Sequence, residues 1–186
     1  MLHYSEVTRD DLEAIINLYE KYLNAGTGVK EYLRRGLEQD RYVGYKCVDG
    51  DIMVGLFSAR PGIYFTYSHP ELEEEIRRGW PEAIYTGDML AIEEEYRGRG
   101  IAHILTKGCC DIVKARGGEH LLVELWVKPN GEEPAGGVIR DMGTGVFEKK
   151  WVIPDFYSEL HLHGLTCPLC GDGKCACGAV VGVIKL

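Results

Sequence analysis

Apolar residues fall at Leu12, Ile15, Ile16, Tyr19, Tyr22 and Leu23, with polar residues between them. That spacing gathers one apolar face and predicts a helix. Thr8 offers its N-cap with Asp11 as capping partner, and residues 2–7 before it read as a short strand. Ala25-Gly26-Thr27-Gly28 ends this helix, and Tyr32, Leu33 and Leu37 share one face of a second helix over about 29–39. Two apolar runs, Tyr42–Val48 and Asp51–Ser58, flank Asp49-Gly50, a strong signal for a tight hairpin.

Farther on, Pro70–Gly79 reads as a short helix whose glutamates (Glu71, Glu73, Glu74, Glu75) form a solvated face. Ala83–Ile92 reads as a strand buried on both faces. Ile101–Arg116 is helical, with Ile101, Ile104, Leu105, Cys109 and Ile112 along one side, and Gly117-Gly118 ends it. Leu121–Val127 is another strand. Residues 134–150 read as mostly helical despite Gly136, Gly137, Gly143 and Gly145; Trp151–Leu160 and Ala179–Leu186 read as the last strands. Strands and helices alternate only in the second half, which fits a mixed α/β (α+β) sheet better than a doubly wound parallel one. No internal repeat is visible, and Lys128–Pro134 is the one linker-like segment.

Composition narrows the function classes. The chain has 186 residues, 45% of them apolar and 27% charged, which suits one domain with a small appendage. Acids outnumber bases 29 to 21, a net charge of −8, which argues against broad nucleic-acid binding. No apolar run approaches the ~20 residues of a membrane helix, and the first residues lack a signal-peptide pattern. The expectation is a soluble, cytoplasmic protein.

Against this acidic background, Arg97-Gly98-Arg99-Gly100 follows the apolar run Met89-Leu90-Ala91-Ile92 and precedes a helix. A helix start offers unpaired N–H groups and the positive end of its dipole. Glycines let the backbone turn sharply and approach a ligand, and arginines add charge. Together these features suit a phosphate or pyrophosphate. The P-loop pattern is absent, and His103 stands where a dinucleotide fingerprint needs its third glycine.

At Arg97-Gly98-Arg99-Gly100-Ile101-Ala102 the chain resembles the GNAT (Gcn5-related) N-acetyltransferases, whose signature [Q/R]-x-x-G-x-[G/A] opens a helix after the fourth strand. The resemblance implies an acyl-CoA N-acyltransferase fold of about seven strands and about four helices over residues 1–160. Residues 161–186 would then be a C-terminal knot and final strand packed on the same domain. It further implies acetyl-CoA as co-substrate, with backbone amides of residues 97–102 on the pyrophosphate. The edge of Leu90, Ala91 and Ile92 would lie along the pantetheine arm, in a splay between this strand and Leu121–Val127. Asn130 would contact the cofactor. The implied acceptor is a small-molecule or peptide amine, with no nucleic acid or membrane involved; a homodimer is compatible with the pattern.

Acyl transfer needs a neutral amine, yet a lysine-like amine has a pKa of about 10.4, so the site must take a proton. Asp88, inside an apolar run, and Glu93, just after it, are the candidate bases, as base or as substrate anchor for Asp88; His103 and His120 are candidate relays. A backbone N–H at the splayed strand would steady the oxyanion. The family's usual acid is a tyrosine in its fourth helix. The like stretch here, Val146-Phe147-Glu148-Lys149-Lys150-Trp151, puts Phe147 at that position; Tyr157 or water would then protonate the thiolate. The same departure leaves open a non-catalytic acyl-CoA sensor or partner protein.

Seven cysteines divide unevenly, and four of them form Cys167-x2-Cys170-x4-Cys175-x-Cys177. Four thiolates suit tetrahedral Zn²⁺ in a structural site. An iron–sulfur cluster, disulfides and free thiols are the alternatives, and His161 and His163 lie near enough to replace a ligand.

Overall fold

The computed structural model describes residues 1–23, 29–66, 69–81, 83–163, 167, 169–171 and 174–186. The expected stop of the first helix at residues 25–28 lies outside them. Thr8 and Asp11 do form the capping box: the Thr8 N–H donates to Asp11 Oδ2 at 2.7 Å. Helices α1 (Leu12–Leu23) and α2 (Val29–Glu38) follow strand β1 (Leu2–Glu6). They bury Ile15, Ile16, Leu18, Tyr19, Leu33 and Leu37 against the sheet.

Strands β2 (Val43–Asp49) and β3 (Ile52–Pro61) form the hairpin expected around Asp49-Gly50. Helix α3 (Pro70–Gly79), strand β4 (Ile84–Ile92), helix α4 (Ile101–Ala115) and strand β5 (His120–Val127) complete the central part. The last two strands are β6 (Phe147–Ile153) and β7 (Gly178–Lys185). Together they make one sheet in the order β1-β2-β3-β4-β5-β7-β6, parallel between β4 and β5 and antiparallel elsewhere. α4 covers one face, and α1, α2 and α3 cover the other. β3 is therefore buried from Met53 to Ala59, as a central strand covered on both faces must be. No helix among the described residues is long and apolar enough to cross a membrane.

Two expectations need correction. Residues 134–150 are not a helix: a short 3-10 turn spans Gly136–Asp141, and Phe147 opens β6. Each interior glycine costs a helix about 1 kcal/mol, and the edge of β7 offers residues 147–153 a ladder instead. Phe147 thus leaves the helical tyrosine position; its ring lies over Gly182, where an added Cβ would come within 2.2 Å of it. The strand expected at Trp151–Leu160 belongs instead to Phe147–Ile153, with turns after Pro154.

Candidate active site and cysteine cluster

β4 and β5 pair only from Ile84–Thr86 to His120–Leu122, although both strands run on past that point. β5 keeps β7 as its partner through Val127, while β4 keeps only β3. The strands part, and the β4 edge through Leu90, Ala91 and Ile92 is open on the β5 side. This is the expected splay.

At its far end the chain turns through a 3-10 segment (Glu94–Tyr96) into the glycine–arginine bend. Gly98 and Gly100 have φ of 73° and 76°, left-handed values that only glycine adopts cheaply. Gly100 is the N-cap of α4, and a Cβ at either glycine would meet open space. Among the described residues, the N–H groups from Gly98 to His103 meet no protein acceptor, and the first turn of α4 carries no acid. Such a bend can hold an anion with main-chain atoms alone. The two arginines brace it: Arg97 Nε donates to the Ile92 carbonyl at 3.0 Å, and Arg99 to the Glu95 carbonyl at 2.7 Å. Asn130 sits in an exposed turn past β5, accepting the Glu132 N–H on its side-chain oxygen at 3.0 Å.

Asp88 lies where the β3–β4 register slips. Ser58 faces Met89 and Ala59 faces Gly87, so Asp88 is the extra residue of a β-bulge. Bulges re-aim side chains, and this one turns the carboxylate toward α1 and α2. The Tyr19 hydroxyl donates to Asp88 Oδ2, the Tyr32 hydroxyl to the same oxygen at 3.2 Å. Arg60 Nε stands 3.3 Å from Oδ1, within ion-pair distance. Burial pushes the Asp88 pKa up to about 7; the guanidinium and the hydroxyls act in the opposite sense. The Arg60 guanidinium is itself packed against two rings, 3.9 Å from the centroid of Tyr64 and 4.9 Å from that of Tyr32.

The other candidates are placed differently. Burial acts to raise the pKa of Glu93, but hydrogen bonds from Lys21 and from the Tyr22 hydroxyl (2.8 Å) hold it below the ordinary range. A carboxylate committed in that way clamps α1 to the end of β4. Tyr157 is fully buried; its hydroxyl donates to Glu124 Oε1 at 2.6 Å and its ring stacks on Trp126. Thr66 also donates to Glu124 through its N–H and its hydroxyl. Glu124 lies two residues past the last β4–β5 pair on β5, as Asp88 does on β4. His103 pairs with Asp141 beside α4, and His120 faces Glu148 at 3.3 Å, at the paired end of β5. Tyr19, Tyr32, Arg60 and Glu124 carry no signal in the sequence: the tyrosines read as apolar face residues, Glu124 as one position within the Leu121–Val127 strand, and Arg60 lies past the Asp51–Ser58 run.

The four cysteines converge. All Sγ atoms lie within 4.8 Å of one another, with Cys167–Cys177 and Cys170–Cys175 at 3.9 Å and Cys170–Cys177 at 3.2 Å. Tetrahedral Zn–S bonds of about 2.3 Å would set the sulfurs about 3.8 Å apart. The N–H groups of Leu169 and Cys170 point at the Cys167 sulfur at 3.4 and 3.3 Å, and Gly171 takes φ 76° to allow the turn. This donor set fits a closed structural site. It is packed with Tyr157 and α3, and the Cys177 carbonyl accepts the Tyr157 N–H at 3.1 Å. His161 is exposed on the preceding turn, and the side chain of His163 lies outside the described residues.

Comparison with known proteins agrees with this geometry. Residues 4–144 match the family model described as Acetyltransferase (GNAT) family. NAA60 of Arabidopsis thaliana, solved with acetyl-CoA, superposes with a TM-score of 0.65 at 16% identity, over 100% of this chain and 99% of that one. The ribosomal-protein-S18-alanine N-acetyltransferase of Escherichia coli gives 0.62 at 14% identity, over 100% and 94%. An N-acetyltransferase of Staphylococcus aureus gives 0.63 at 11%, over 100% and 98%. At these identities the likeness is one of fold. No curated protein matches the chain by sequence.

Proposed function

This chain belongs to the GNAT acetyltransferase family, and from that premise we propose that it transfers the acetyl group of acetyl-CoA directly to an amine, small-molecule or peptide. The bend at residues 97–102 would hold the pyrophosphate on its free amides, and the open edge at Leu90, Ala91 and Ile92 would pair with the pantetheine arm as an added strand does. Asn130 would approach the cofactor from the turn past β5.

Asp88 carries the reading. It is a buried carboxylate, pushed up to about 7 by burial, on the bulge beside the open edge. It would take a proton from the incoming ammonium. The neutral nitrogen then attacks the thioester carbon, a backbone N–H of the open β4 edge steadies the oxyanion, and the carbon–sulfur bond breaks. The departing thiolate takes its proton from water or from the Tyr157 hydroxyl, which would turn from Glu124 to donate it and regain a proton from water. Glu93 is a clamp in this scheme. The test is thiol release from acetyl-CoA with a panel of amines.

One observation favours a second reading. The short turn between β5 and β6 is Gly136-Gly137-Val138-Ile139-Arg140-Asp141, with no hydroxyl or thiol to act as acid. Tight CoA binding without thiol release from any amine would make the protein an acyl-CoA-binding partner. For the cysteines we infer zinc, held by Cys167, Cys170, Cys175 and Cys177 and fastening the start of β7. Elemental analysis of the purified protein checks this, with one zinc per chain expected; iron, or none, would refute it.

A further inference from the structure

A cavity of about 790 Å³ opens between α2 and the end of β3, and two of its lining residues, Tyr32 and Arg60, are the ones that touch Asp88. Three arginines line it, Arg35, Arg41 and Arg60, with one acidic residue, Glu31. That balance runs against a chain whose net charge is −8. Glu31 is already engaged: hydrogen bonds from Arg34 and Arg35 hold its pKa at about 2. Arg60 is committed to Asp88 and to the rings of Tyr32 and Tyr64. Arg41 is exposed and meets no acid among the described residues, while its backbone N–H is anchored on the Gly36 carbonyl at 2.7 Å.

The cavity therefore presents a free cation at one place and the candidate base behind its wall at another. We infer that it receives the acceptor, and that the acceptor is an amine bearing a carboxylate, as in an amino acid or a peptide with a free C-terminus. The carboxylate sits on Arg41, and the amine is directed past Tyr32 and Arg60 to Asp88. Guanidinium groups match a carboxylate with paired donors, and the same charges disfavour a polyamine. This inference rests on the acetyl-transfer reading for its chemistry and on the cavity for its selectivity.

The test compares amino acids and dipeptides with their C-terminal amides and with putrescine. Binding is measured by calorimetry at saturating CoA, and turnover by thiol release from acetyl-CoA, in the wild-type chain and in Arg41→Gln. Arg41 is exposed, so the variant folds. The free acids should bind and react at least about tenfold better than their amides, and Arg41→Gln should erase that preference through KM while CoA affinity stays unchanged. Acids and amides used equally, putrescine preferred, an unaltered preference in the variant, or no binding of any of these compounds each overturns the inference. Selective binding of the acids without thiol release leaves the carboxylate site standing and removes the transfer reading. Transfer to amides and putrescine does the reverse.

Discussion

The bend at residues 97–102 and the surroundings of Asp88 are two ways of building half a site. The bend is made of backbone: consecutive amides, two left-handed glycines and a helix start, all within a few residues. The Asp88 network is made of side chains from α1, α2, β3 and β4, drawn from residues 19, 32, 60 and 88. The first offers main-chain amides, with its two arginines turned onto the carbonyls of Ile92 and Glu95. The second depends on which charges stand near one carboxylate. A change to the bend should therefore act on cofactor affinity, and a change to the network on the rate and its pH dependence.

The sharpest way to break this division is Asp88→Asn. Removing the base should lower kcat/KM for amines by about 10²–10⁴-fold while calorimetry finds the affinity for CoA unchanged. Lost CoA affinity in that variant would mean that the two regions are one. Gly100→Glu tests the other side. A side chain there has open space but must adopt φ 76°, and its charge would face the diphosphate. CoA affinity should fall on the order of 100-fold with the fold retained by circular dichroism.

The pH profile sharpens the comparison further. Burial raises the Asp88 pKa to about 7, so the basic form is scarce below that pH. kcat/KM should climb about tenfold per pH unit up to about 7 and then level, whereas the affinity for CoA should not follow that curve. The sign for stability is opposite. A carboxyl with a raised folded pKa favours the folded state when protonated, so its contribution is lost as pH rises from about 4 through about 7. Asp88→Asn should flatten that part of a chemical-denaturation series. The smallest effect belongs to Tyr32→Phe, which removes one hydroxyl 3.2 Å from the carboxylate. It should change the rate only a few-fold and raise the apparent pKa, a shift that a titration of kcat/KM detects.

Local patterns carried much of this. The Asp49-Gly50 hairpin, the Thr8–Asp11 cap and the acidic helix Pro70–Gly79 each depend on residues close in sequence, and each formed; α4 formed too, but its buried side runs through Ile101, Leu105, Cys109 and Val113 and leaves the expected Ile104 exposed. The cysteine cluster was legible for the same reason: its ligands lie within eleven residues, and the spacing determines how they can meet. Residues 134–150 failed because their outcome was decided elsewhere. Four glycines made a helix weak, and the partner that made a strand of residues 147–153 is β7, thirty residues later in the chain.

By itself the sequence determined the glycine–arginine bend, since the direction of successive amides follows from the φ angles that two glycines permit. It also determined that a carboxylate, Asp88, would lie in an apolar strand. Only the tertiary structure decided what that carboxylate is. The slip between β3 and β4 aims it at α1 and α2, two tyrosines and an arginine from distant positions surround it, and the parting of β4 from β5 leaves an open edge beside it. The physical reason is range: backbone geometry is set between neighbours, whereas burial and field at a charge sum over every element that packs around it.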